Sequence, residues 1–131
     1  MRILVADDCR DTAETFALLL SSWGHEVETA YDGAEALARA EAACPEVALL
    51  DVAMRPLSGA DVARRLRAKG GRCPWLVAVT GLHPSNVPRD DAAAFHWRLY
   101  KPVEPGHLLE VLKAAEAAGK GGPLMPRPDS P

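Results

Sequence analysis

The sequence predicts an α/β domain built on a doubly wound, five-stranded parallel sheet, and three observations carry that prediction. Val47-Ala48-Leu49-Leu50 is an apolar run without polar alternation, ending on Asp51, as a strand buried on both faces would read. Ile3-Leu4-Val5-Ala6, Trp75-Leu76-Val77-Ala78-Val79 and Trp97-Arg98-Leu99-Tyr100 lead in the same way into Asp7-Asp8, Thr80 and Lys101. Between the runs lie helical periodicities, so strands and helices alternate, and five βα units imply right-handed crossovers with helices on both faces.

Each element has its own signal. After the first strand, Asp11 and Glu14 give an acidic helix start, and Phe16, Leu19, Leu20 and Trp23 recur at helical spacing before Gly24. Glu26-Val27-Glu28-Thr29-Ala30 alternates, as a strand nearer the sheet edge does. Asp32, with Glu35 three residues on, caps a second helix that ends at Cys44-Pro45. The central strand to Asp51 follows, then a loop, Val52 to Leu57, that carries Pro56. Ser58 and Asp61 open a third helix through Val62, Ala63 and Leu66, stopped by Gly70-Gly71. Beyond Thr80, Pro84 and Pro88 leave room for only a short helix, around Arg89 to Ala94. The last helix begins near Pro105, with Leu108, Leu109, Val111, Leu112 and Ala115 as its apolar face. The domain is expected over residues 1–118. The Gly- and Pro-rich stretch 119–131 reads as a disordered tail that cannot repay its ordering entropy.

Composition sets outer limits. At 131 residues one domain is expected, and 48% hydrophobic content with 5% aromatics gives an aliphatic core. A net charge of -3 gives no bulk attraction for nucleic acid or acidic membranes. Cys9, Cys44 and Cys73 are odd in number and lack ligand spacing, so they read as reduced thiols in a cytoplasmic protein. Met1 leads directly into a strand, with no signal peptide and no long apolar span. His25, His83, His96 and His107 are scattered and read as surface residues, while Trp23 and Trp75 read as core packing.

The chemistry gathers at the carboxyl ends of the strands, where open α/β sheets place their ligands. Asp7, Asp8 and Asp51 would repel one another, by roughly 4 kcal/mol per pair at about 4 Å near a surface. A hard divalent cation such as Mg²⁺ relieves that repulsion with carboxylates, a carbonyl and retained waters. Metal, a fixed ammonium and a hydroxyl suit phosphoryl transfer, which needs positioning and charge neutralisation more than covalent help. Asp51 ends the central strand and is the candidate nucleophile, giving an aspartyl phosphate.

These residues carry a resemblance. Over about residues 2 to 116 the sequence is similar to the receiver domains of two-component response regulators, most like stand-alone or hybrid-kinase receivers. Asp7-Asp8 matches the acidic pair, Asp51 the phosphoacceptor, Thr80 the switch hydroxyl and Lys101-Pro102 the lysine with its following proline. Met54, Gly59 and Asp32-Gly33-Ala34-Glu35-Ala36-Leu37 also match. The resemblance implies a flavodoxin-like (βα)5 fold with strand order 2-1-3-4-5. It implies that Asp51 takes a phosphoryl group from a phosphohistidine on a sensor histidine kinase or a histidine phosphotransfer protein. It implies Mg²⁺ on Asp8, Asp51 and the backbone carbonyl of Ala53, with Asp7 acting through water. Thr80 and Lys101 would hold the phosphoryl group and switch a surface for a downstream protein, and the Lys101-Pro102 bond would be cis. A monomer or weak homodimer is expected, without direct nucleic-acid or membrane binding.

The sequence departs from that pattern in places. Arg98 stands three before the lysine, where an aromatic switch residue is common, and Trp97 and Tyr100 are expected on the opposite face from it. Arg55 separates Met54 from Pro56 and is a candidate modulator of phosphoryl lifetime. A pseudo-receiver, a phosphorylation-independent interaction module, is the competing reading. A turnover enzyme is not expected: an aspartate-nucleophile phosphatase carries a second acid two residues after its nucleophile, and Ala53 stands there.

Overall fold

The computed structural model describes residues 1–69, 73–81 and 93–119. Strands β1 (Arg2–Ala6), β2 (Glu26–Ala30), β3 (Val47–Asp51), β4 (Trp75–Thr80) and β5 (Trp97–Tyr100) form one parallel sheet in the order β2-β1-β3-β4-β5. Helices α1 (Arg10–Ser22), α2 (Gly33–Ala43), α3 (Gly59–Ala68) and α4 (Pro105–Gly119) are the four among the described residues. The order reverses between β1 and β3, so the acidic pair after β1 and Asp51 come together at the switch point of the sheet.

Strand alternation sorts the core into two layers. Leu4, Ala6, Ala48, Leu50, Leu76 and Ala78 face α2 and α3 and pack with Ala36, Val62, Ala63 and Phe95. Ile3, Val5, Val47, Leu49, Val77, Val79 and Leu99 face α1 and α4 and pack with Leu20, Leu108, Val111 and Leu112. All five residues of β3 are buried, whereas β2 alternates, which is the difference between a central and an edge strand. Trp23, Trp75 and Trp97 are partly buried against the second layer.

The caps follow the sequence with one shift. Asp32 accepts from the Glu35 amide at 2.7 Å, and the Glu35 carboxylate accepts from the Tyr31 amide at 2.7 Å. Ser58 and Asp61 form a reciprocal capping box. Helix α1 starts earlier than Asp11 suggested: Cys9 is its N-cap and makes no side-chain cap bond, and Asp11 sits inside the first turn. Cys44 ends α2 in the left-handed conformation, and Gly24 turns the chain after α1 with a φ of 92°.

Four expectations are corrected. Leu109 is 41% exposed and lies off the buried stripe of α4, because Leu108 and Leu112 already fill that face one turn apart. His25 and His96 are half-buried rather than superficial. His96 stacks on Trp75, with centroids 5.6 Å apart, and its Nδ1 accepts from the Leu76 amide at 2.9 Å. Trp97 faces the second layer with Leu99, but Tyr100 shares the face of Arg98, since residues two apart on a strand point the same way. The Gly70-Gly71 stop, the region of Pro84 and Pro88, most of the short helix at 89–94, and the tail beyond Gly119 lie outside the described residues.

Candidate functional site

The site assembles at the carboxyl ends of β1, β3, β4 and β5. Asp7 follows β1 and is 2% exposed. Its amide donates to the Ala30 carbonyl at 3.0 Å, and its carboxylate accepts from the Cys9 amide at 2.9 Å. These two bonds fix the direction in which the acid points. Asp8, the next residue, is exposed at the rim. Asp51 closes β3 and is 4% exposed, and its Oδ1 accepts from the Ala53 amide at 3.0 Å. Thr80 closes β4 and is 2% exposed.

Lys101 completes the group from the sheet edge. Its amide donates to the Thr80 carbonyl at 2.8 Å, which extends the ladder one step past β5. Its ammonium donates to Asp7 Oδ2 at 3.0 Å and to Asp51 Oδ2 at 3.4 Å. The Lys101-Pro102 peptide bond is cis, as is Arg55-Pro56.

The electrostatics follow from burial. Asp51 is held above the usual carboxylate range, first because burial penalises its charge, then because Asp7 repels it. The Ala53 amide and the Lys101 ammonium oppose that shift. Burial alone would lower the Lys101 ammonium, but its hydrogen bond to Asp7 and the charges of Asp51 and Asp7 raise it overall. One cation thus stands against three acids.

Ligand oxygens of Asp7, Asp8 and Asp51 lie within 4.8 Å of one another, the one such group of metal-binding donors among the described residues. Oxygen donors with two buried carboxylates suit a hard divalent cation. The loop after β3 is drawn tightly over this end: a Cβ on Gly59 would stand 2.5 Å from the Asp51 carbonyl oxygen, and one on Gly33 would collide with Leu57. Arg55 is exposed in that loop. Arg98 lies further back along β5, in register with Ala78, whereas Tyr100 is in register with Thr80. Sequence reasoning put Tyr100 on the opposite face from Arg98; a count of two along β5 places it on the same face, and its register with Thr80 comes from the folded sheet.

No described helix is long and apolar enough to cross a membrane. Known proteins agree with the geometry. The family model of the response regulator receiver domain matches residues 3–113. The response regulator MprA of Mycobacterium avium is 46% identical over 115 residues, which are 87% of this chain and 50% of that protein. MprA of Mycobacterium tuberculosis is 44% identical over the same share of both chains. The chain therefore spans about half the length of these curated relatives. Among solved structures, the chemotaxis response regulator CheY4 of Vibrio cholerae superposes with a TM-score of 0.77 at 29% identity, covering 87% of this chain and 97% of that one. The receiver domain of a modulated diguanylate cyclase from Desulfovibrio desulfuricans superposes at 0.79 with 26% identity, covering 91% and 95%. With the family model spanning both acid positions, the threonine and the lysine, the chain belongs to the response regulator receiver domains of two-component signalling.

Proposed function

We propose that this receiver accepts a phosphoryl group on Asp51 from a phosphohistidine of a histidine kinase or histidine phosphotransfer protein, and that the modified site switches a surface for a downstream protein. The observation that carries the reading is the convergence of Asp51, Asp7 and Lys101 at one sheet end, with one ammonium bridging two buried carboxylates. As the oxygen–phosphorus bond to Asp51 forms, the donor's phosphorus–nitrogen bond breaks and its imidazole keeps the electron pair. Lys101 is already within reach of the Asp51 carboxylate and would follow the new negative charge onto the phosphoryl oxygens. Thr80, at the end of the neighbouring strand, would donate its hydroxyl to the same group.

Mg²⁺ fits the donor set. Asp8, Asp51 and the carbonyl of Ala53 would hold it, with Asp7 through water, and bound there it would neutralise charge on the transferring group. The reaction is a single modification of the chain rather than turnover of a metabolite. Arg55, four residues past Asp51 and permanently charged, is the candidate modulator of phosphoryl lifetime, and an unchanged dephosphorylation rate in Arg55→Ala would remove it from that role.

The test is phosphoryl uptake from acetyl phosphate with Mg²⁺, followed by intact mass. Uptake of one phosphoryl group by the wild type and none by Asp51→Asn is the expected result. Failure of the wild type to take up phosphate in Mg²⁺ would favour the pseudo-receiver, the reading for which Arg98 in place of a switch aromatic speaks.

A further inference from the structure

A cleft of 810 Å³ opens at the end of the sheet away from the acids, where the strands begin. Two of the three cysteines, Cys44 and Cys73, line it, and both are exposed. Cys9 lies at the other end, next to Asp8. Cys44 caps α2 shortly before β3, and Cys73 stands two residues before β4. Those strands are neighbours: Val47 is in register with Trp75, and the Trp75 amide donates to the Glu46 carbonyl at 2.8 Å. Carried back two residues, that register sets Pro45 level with Cys73, and Cys44 is the residue before Pro45. The chain is tied a second time just upstream, where the Lys69 ammonium lies 2.9 Å from the Glu41 carboxylate and joins the ends of α3 and α2.

A disulfide takes a Cα separation of about 4.4–6.8 Å. Neighbouring strands about 4.8 Å apart, with one further Cα step of about 3.8 Å, bring the pair to that distance or to one small shift of the strand entry beyond it. The thiols hold only local, weak bonds that a rotation releases, from Cys44 Sγ to the Glu41 carbonyl at 3.8 Å and from Cys73 Sγ to the Pro74 carbonyl at 3.3 Å.

We propose that Cys44 and Cys73 are a dithiol–disulfide pair, which a low-molecular-weight disulfide oxidises to an intramolecular bond that closes the segment 44–73 around β3 and α3. This does not depend on the phosphoacceptor reading. The Cys44 thiolate attacks one sulfur of the reagent, whose sulfur–sulfur bond breaks and releases one thiolate with the electron pair. Cys73 gives its proton to water, and its thiolate attacks the Cys44 sulfur of the mixed disulfide, expelling the second thiolate. Two protein thiols are oxidised and the reagent is reduced to two thiols. Burial pushes the Cys73 thiol up, with Arg67 opposing, so Cys73 holds little thiolate to begin the exchange but is a strong nucleophile for the intramolecular step.

The test treats the dilute full chain with glutathione disulfide and follows intact mass and a non-reducing peptide map. Cys9→Ser should lose about 2 Da, with the fragment carrying Cys44 joined to the one carrying Cys73. Adding Cys73→Ser should stop the reaction at the glutathione adduct on Cys44. That adduct should be at least about tenfold scarcer when Cys73 is present, because its removal is intramolecular. The oxidised protein should melt about 5 °C above the reduced one, since the bond closes a loop of about 30 residues. Separate adducts on both cysteines without the loss of about 2 Da overturn the proposal, as does a bond that joins two chains. A melting point that the bond leaves unchanged or lowers overturns it as well, because the fold would then have to distort to form it.

Discussion

The Lys101 ammonium sits 3.0 Å from Asp7, a carboxylate with 2% of its surface in solvent, and 3.4 Å from Asp51. In this conformation the lysine is bound first to Asp7, not to the proposed phosphoacceptor. It stabilises the resting site and is close enough to Asp51 to follow charge placed there.

Removing that ammonium leaves two buried carboxylates facing each other. Lys101→Met should destabilise the metal-free protein by about 1–2 kcal/mol, less than a fully buried pair would lose, because a third of the lysine side chain remains in water. Mg²⁺ should then stabilise the variant more than it stabilises the wild type, since the metal takes over part of the missing charge. Thermal melts with and without Mg²⁺ check both points, and an equal Mg²⁺ effect in the two proteins would sink the argument.

Asp51 gives a pH dependence of definite sign. Its folded carboxyl is held above the ordinary value, chiefly by burial. The folded state therefore binds a proton more readily than the unfolded state, and stability falls as pH rises from about the ordinary carboxylate value through the raised one. Asp51→Asn should flatten that slope and, at neutral pH without metal, stabilise the protein by roughly 1 kcal/mol, or about 4 °C in Tm. Urea unfolding across the acid range provides the measurement. A variant less stable than wild type at neutral pH contradicts it.

Gly59 ties the start of α3 to the end of β3. A Cβ there would lie 2.5 Å from the Asp51 carbonyl oxygen and 2.9 Å from its carbonyl carbon, both backbone atoms that cannot swing aside. Gly59→Ala should cost about 2 kcal/mol and displace the end of β3, so that phosphoryl uptake slows as well. Gly24→Ala, whose Cβ meets nothing within 4 Å but whose φ is 92°, separates strain from crowding: it should lose stability and keep the uptake rate.

Much of this was legible in the sequence. The uninterrupted run 47–50 marked the central strand because both of its faces are covered, and the strand-end acids were visible because each closes an apolar run. Capping at Asp32 and at Ser58 was equally readable, since each rests on a partner three residues away. The failures have physical causes. Leu109 looked like core because helical spacing alone cannot say how wide the buried stripe is. His96 looked superficial because its partners, Trp75 and the Leu76 amide, come from a strand twenty residues earlier. Tyr100 was placed on the wrong face although period two determines it, and the meaning of that face depends on a register with Thr80 that only the folded sheet supplies.

His25 supplies a second pH effect, at the opposite end of the sheet. Its Nδ1 lies 3.0 Å from the amino group of Met1. Burial first, and that amino group second, hold the imidazole below its ordinary 6.5, while Glu116 and Glu46 oppose the shift. The unfolded chain thus takes up a proton at a higher pH than the folded chain does. The contribution is fully present above 6.5 and is lost as pH falls through the lower folded value, so stability rises with pH across that window. His25→Gln should flatten the change in urea midpoint between about pH 5 and pH 7.5 while leaving the Asp51 effect at lower pH intact. A slope as steep in the variant as in the wild type would place the neutral-pH dependence on another histidine.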